Sequence, residues 1–195
     1  MTSPEDPTGD VVGSRAWLRP SLRRRLAAYL LDLLAVTLLV YVVTAAIGVL
    51  MGPVVRFNAN DAGALRVSLD YPVVVLQALA GTVLNATYFI AGWLTRQATL
   101  GQRLFGVRVV AAGTWTGLAV RQAVLRWVLL GGLFGLAAAV VLASAIAWSG
   151  VIGVGLLWAV ALFVSTARNR LGRGIHDRIA GGIVVRAADL RHVSG

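Results

Sequence analysis

Apolar residues run almost unbroken along three stretches of the chain, and polar residues gather between them. Leu26 to Leu50 carries a single charge, Asp32; Pro72 to Leu94 carries none; and no charged residue occurs from Trp127 to Ala167. Crossing ~30 Å of hydrocarbon takes ~20 helical residues, so the first two stretches each predict one membrane span. The third is about twice that length and predicts a helical hairpin. Its reversal is expected at "AWSGVIG", where Trp148 can sit at the interface and Ser149 and Gly150 permit a turn. The predicted spans are therefore 26–50, 72–94, 127–147 and 150–167.

Charge orients these spans. Arg15, Arg19, Arg23, Arg24 and Arg25 precede the first, a second arginine cluster lies between Arg96 and Arg126, and a third follows Arg168. The segment 51–71 is balanced, with Arg56 and Arg66 against Asp61 and Asp70. Basic segments stay on the cytoplasmic side, and four spans place all three clusters there, whereas three would strand the last outside. The expected fold class is an all-α membrane protein with four transmembrane helices in two hairpins and cytoplasmic N- and C-termini. Short amphipathic and β-rich segments lie on the cytoplasmic face. Residues 1–21 read as a disordered tail, 22–187 as the transmembrane domain and 188–195 as a C-terminal tail. The first apolar run is longer than the ~7–15 residues of a signal-peptide core, so it reads as a retained anchor of a multi-pass cell-membrane protein.

Composition agrees: 58% of the 195 residues are hydrophobic and 13% charged, more apolar surface than a soluble domain of this length can hide. A net charge of +10 would point to nucleic acid if the arginines did not flank the spans. Here the expected partners are the bilayer and its anionic headgroups, with no nucleic acid. There is no cysteine, hence no disulfide and no thiol chemistry.

A carboxylate inside the hydrocarbon costs on the order of 2.5–3.5 kcal/mol, so Asp32 should face other helices. It lies ~9 Å into the first span, and Arg25, seven positions earlier, shares its face at a distance of ~10.5 Å along the axis. That places Arg25 at headgroup level, lowering the potential felt by Asp32. Asn85 of the second span falls within about one turn of the same depth and is the expected polar partner. Two roles remain open for Asp32: hydrogen-bonding glue between helices, worth ~1–2 kcal/mol, or a proton or cation site.

Outside the spans, "QRLFGVRVV" (Gln102 to Val110) and "DRIAGGIVV" (Asp177 to Val185) align without gaps, matching Arg103 to Arg178 and Gly106 to Gly181. Each follows a pair of spans, as two hairpin-plus-motif halves would. Each predicts a short interfacial helix, a glycine break and a β-rich tip, and the two tips can pair into a small sheet. Arg103, Arg108, Arg121, Arg126 and Arg178 are expected to face lipid headgroups or a partner. His176 and Asp177 diverge by ~100° on a helix and form no relay. Asp177 is expected to cap a helix or pair with Arg173 or Arg103. No nucleophile signature, HExxH or phosphate-binding loop occurs, so neither catalysis, a cofactor nor a metal is expected.

Taken in order, "RRLAAYLLDLLAV", "TLGQRLFGVRVV", "LRW" and "GIHDRIAGGIVV" resemble the RDD family of small membrane proteins over about residues 22–187. That family is named for one arginine at the start of the first helix and two aspartates. Arg25 matches the arginine, Asp32 the aspartate of the first helix, and Asp177 the second aspartate. The resemblance implies a role in transport, with cation/proton exchange among the activities attributed to members. No other span carries an acidic residue, whereas coupled exchangers usually hold several intramembrane ionisable groups. Two functions follow: an ion-coupled transporter using Asp32, or a non-catalytic accessory or scaffold subunit of a homo-oligomer or larger membrane complex. Gly131, Gly132 and Gly135, with Gly150, Gly153 and Gly155, would allow the close helix contact that an assembly needs.

Overall fold

A computed structural model describes residues 20–59, 65–134, 136–137, 148–169 and 172–190. Helix α1 (Leu22–Met51) opens at Ser21, whose Oγ accepts from the Arg24 N–H, and closes at Gly52, where φ is 96°. Its buried residues are Ala28, Asp32 and Val36, one every fourth position, which places Asp32 in the middle of the stripe that meets the rest of the protein. The other faces are apolar yet exposed: Tyr41 is 70% and Leu50 84% accessible. A core helix of a soluble protein would bury them. Helix α2 (Tyr71–Arg96) starts at the cap residue Asp70 with Pro72 in its first turn and stops at Gln97 in the left-handed region. Both helices are long and apolar enough to cross a membrane. They pack together, and Gln77 Nε2 donates to the Thr44 carbonyl 3.0 Å away, so one polar residue of α2 is satisfied by the backbone of α1.

A hairpin of β1 (Val55–Ala59) and β2 (Leu65–Leu69) joins the two helices, with Val55 opposite Leu69. An Arg56–Asp70 ion pair holds its base to α2. The balanced charge of this segment is thus partly an internal pairing.

The two similar motifs fold alike. Helix α3 (Leu100–Leu104) leads through Gly106, with φ 62°, into β3 (Val107–Ala111). Before β3 is matched by its partner, the chain forms α4 (Val120–Leu129) and α5 (Trp148–Arg168). Helix α6 (Ile175–Ile179) then leads through Gly181, with φ 69°, into β4 (Gly182–Arg186), and one turn, α7 (Ala187–Leu190), follows. Only glycine adopts such angles without strain, which is why both breaks carry one. Strands β3 and β4 pair antiparallel with Val109 opposite Val184, as the two tips were expected to do. Their inner side chains, Val109 and Val184, pack on Trp93, Leu118, Ala123 and Trp127 to form the core of this cap.

The third stretch departs from its expected limits. Trp127 does not begin a span; it is buried near the end of α4, which stops at Leu129 and turns at Gly131, where φ is 94°. A glycine pair following an amphipathic helix favours a stop over continuation. Most of the expected span 127–147 lies outside the described residues. Trp148, Ser149 and Gly150, expected in a turn, are the first turn of α5. The expected tail also shortens, because Pro20 is buried and Ser21 caps α1, while 1–19 and 191–195 lie outside the described residues.

Candidate functional site: two buried carboxylates

Asp32 is 1% exposed and accepts three hydrogen bonds. The Tyr88 hydroxyl donates from α2 at 2.6 Å, and the backbone N–H of Gly101 in α3 donates at 2.7 Å. The third donor is the Thr99 hydroxyl, from the cap position of α3. The approach needs a glycine at 101: a Cβ there would collide with the Ala28 carbonyl oxygen and come within 2.9 Å of Asp32 Cγ. Gln102 fixes the start of α3, its Oε1 accepting from the Thr99 N–H at 3.0 Å and the Trp93 indole at 3.1 Å. Residues of α2 and of the start of α3 thus surround one carboxylate with donors.

Asn85 is not among them. Its Oδ1 accepts from the Trp127 indole 2.7 Å away and so ties α2 to α4. Asn85 does lie near the depth of Asp32, but Tyr88, one turn nearer the cap and longer in reach, takes the place expected for it. Tyr88, Thr99 and Gly101 were not singled out from sequence. The Thr-x-x-Gln spacing at 99–102 is a capping-box signal that marks the start of α3, where two of the three donors sit.

Asp177 is fully buried on α6. Arg126 of α4 forms an ion pair with Oδ1, and Arg25 NH2 of α1 lies 3.6 Å from Oδ2. Arg25 also donates to the Gly172 carbonyl, and the Arg126 guanidinium stacks over the Trp93 ring with its centre 5.0 Å from the centroid. One aspartate therefore pins α1, α4 and α6 together. Three expectations change accordingly. Arg25 serves Asp177 instead of tuning Asp32 from the headgroup level. Arg126, 3% exposed, faces neither lipid nor a partner. Asp177 pairs with neither Arg103 nor Arg173, whose Nε instead donates to the Gly182 carbonyl at 3.1 Å. A desolvated acid needs a cation of matching burial, and the remaining arginines are at the surface: Arg103, Arg108, Arg121 and Arg178 are all exposed.

The electrostatics follow from this enclosure. Burial pushes the Asp177 carboxyl up, but Arg126, His176 and Arg25 outweigh it and hold it below its ordinary value. Burial pulls His176 down to about 4, and the charges of Arg126 and Arg25 pull the same way against Asp177. The imidazole is therefore neutral at pH 7, with Nε2 3.4 Å from Asp177 Oδ1. Both carboxylates border a single cavity of about 520 Å³, whose other walls are mostly apolar side chains of α1, α2, α4 and α5. Among the described residues no three His, Asp or Glu side chains come together to hold a metal. What the arrangement does chemically is fasten helices to the cap.

The sequence model of the RDD family matches residues 19–181, nearly the whole of the domain just described. No curated protein and no solved structure matches the chain. Arg25, Asp32 and Asp177, the three residues singled out by the sequence resemblance, stand in two buried clusters, Arg25 with Asp177 and Asp32 with its three donors. This chain belongs to the RDD family of membrane proteins.

Proposed function

We propose that the chain is a four-span protein of the cell membrane, with both termini cytoplasmic, that acts as a non-catalytic accessory or scaffold subunit. The observation that carries this role is the saturation of both buried acids. A proton or cation arriving at Asp32 would displace donors from Tyr88, Thr99 and Gly101. At Asp177 it would compete with two guanidiniums, and breaking a buried ion pair costs ~3–5 kcal/mol. A coupling site has to exchange its ion readily; these two are built to hold what they have. The exposed arginines Arg103, Arg108, Arg121 and Arg178 offer a cationic face for anionic headgroups or a partner. Purification in mild detergent followed by mass spectrometry should recover another membrane protein, or further copies of this chain, in stoichiometric amount. A monomer in every detergent would count against the accessory role.

One feature favours the alternative, an ion-coupled transporter: the cavity reaches Asp32. In that case proteoliposomes should show flux driven by an ion gradient, abolished by Asp32→Asn with folding and yield intact. The accessory role predicts no such flux in the wild type.

A further inference from the structure

The hairpin that joins the two long helices carries an apolar face that packs into no core. Side chains alternate across a strand, so Val55 and Phe57 of β1 lie on the side opposite Arg56. The register sets Val55 against Leu69 and Phe57 against Val67, and cross-strand partners share a face. These four side chains are all apolar, whereas the other face sets Arg56 against Ser68. The described protein leaves the apolar side largely bare: Phe57 is 69% and Val67 61% exposed, and Val55 is exposed as well.

The polar side, in contrast, is engaged. Arg56 pairs with Asp70, the residue that caps α2, and the Asp70 N–H donates to the Val54 carbonyl at 2.8 Å. The base of the hairpin is thereby tied to the point where α2 begins. Helix α1 ends at Met51, just before β1. Leu50 and Met51 at that end, and Tyr71 at the start of α2, are exposed. The bare face therefore continues the apolar surface of both helices.

A lone two-stranded hairpin is marginal in water and needs a surface for its apolar face. A strand of five residues is ~17 Å long, while the headgroup layer on each side of ~30 Å of hydrocarbon is only about 5–8 Å deep. An upright hairpin would carry Phe57 and Val67 to the outer edge of that layer or past it. A reclining one sets them against the acyl chains. Its unpaired backbone edges keep it from sinking further, because hydrocarbon offers them no partner.

We propose that the β1–β2 hairpin rests on the bilayer leaflet opposite the β3–β4 cap, with Phe57 and Val67 at the boundary between headgroups and acyl chains and Arg56 turned toward water. The inference rests on α1 and α2 crossing the membrane and is independent of the accessory role. The ends of α1 and α2 remote from the cap are then held at a set depth by lipid, as the cap holds the other ends by protein.

The chain has no cysteine, so single nitroxide labels can be placed without other substitutions. Phe57→Cys, Val67→Cys, Ser68→Cys and, midway along α1, Leu38→Cys are each labelled in the full chain and reconstituted in nanodiscs of phosphatidylcholine and phosphatidylglycerol. Collision with oxygen, which concentrates in lipid, is compared with collision with nickel-EDDA, which stays in water. The oxygen-to-nickel ratio should be several-fold higher at Phe57 and Val67 than at Ser68, and highest at the exposed Leu38. Two positions on the apolar face keep the test decisive if one variant folds poorly. Nickel collision as strong at Phe57 and Val67 as at Ser68 would put the face in water, and weak collision with both reagents there would mean that a second copy or another protein covers it. Either result overturns the proposal while Leu38 still reports lipid. Strong nickel collision at Leu38 would overturn the crossing of α1 itself, and this inference with it.

Discussion

Arg25, in the first turn of α1, and Asp177, on α6 beyond the last long helix, lie 3.6 Å apart in a buried cluster completed by Arg126. The contact closes the domain on itself, joining its first helix to its last motif. Asp32, one to two turns further along α1, makes the second closure, between α1 and the start of α3. Both acids thus attach the β3–β4 cap to the long helices.

Asp32→Asn keeps the shape of the side chain but replaces one accepting oxygen with a donating amide, which faces donors already in place. Each unmatched buried group costs ~1–3 kcal/mol, so the variant should lower the unfolding free energy in detergent by about that amount. Thr99→Val removes one donor and should cost less, since two remain to serve the carboxylate. Denaturant titration of both variants checks the order.

Gly101→Ala tests the close approach of α3 to α1. The added methyl meets the Ala28 carbonyl oxygen, a backbone atom that cannot swing aside. Overpacking of this kind costs ~1–3 kcal/mol, and here it should also loosen the Asp32 hydrogen bonds. A lower melting temperature is expected, together with faster hydrogen exchange at the start of α3.

Acid should weaken the cap. His176 has its pKa depressed from 6.5 to about 4, so as pH falls the unfolded chain takes up the proton first. The stability from the neutral imidazole is complete above 6.5 and is lost on descending from 6.5 to about 4. At ~1.36 kcal/mol per pH unit that is roughly 3 kcal/mol. Asp177, held below its ordinary 3.8, adds its own loss only at more acid pH. His176→Gln should flatten the decline between 6.5 and about 4 in a series of thermal melts.

Local pattern made much of this legible. The length of the apolar runs defined α1 and α2, and the repeated helix, glycine and strand at 102–110 and 177–185 foretold both motifs and the pairing of their tips. The insertion cost of a lone carboxylate correctly put Asp32 against protein. What sequence did not reveal was which residue reached it, because depth along a helix does not decide between Asn85 and Tyr88, one turn apart. Arg126 was hidden among similar arginines flanking a span. Its place with Ala123 and Trp127 at helical spacing on the buried stripe of α4 was a signal that it faces inward. The sequence at 51–71 contains no Asn-Gly or Asp-Gly pair to signal a hairpin, so the pairing of β1 with β2 was not legible.

The most direct test of the clamp is a double-mutant cycle at Arg126 and Asp177, with unfolding free energy measured for Arg126→Leu, Asp177→Leu and the pair. Asp177→Leu strands the buried Arg126 charge and should cost ~3–5 kcal/mol, Arg126→Leu leaves Asp177 with Arg25 and should cost less, and the double variant, in which Arg25 still loses its aspartate, should lose clearly less than the sum of the two. Single changes that cost little, or a double variant whose loss equals their sum, would contradict an architectural role for Asp177.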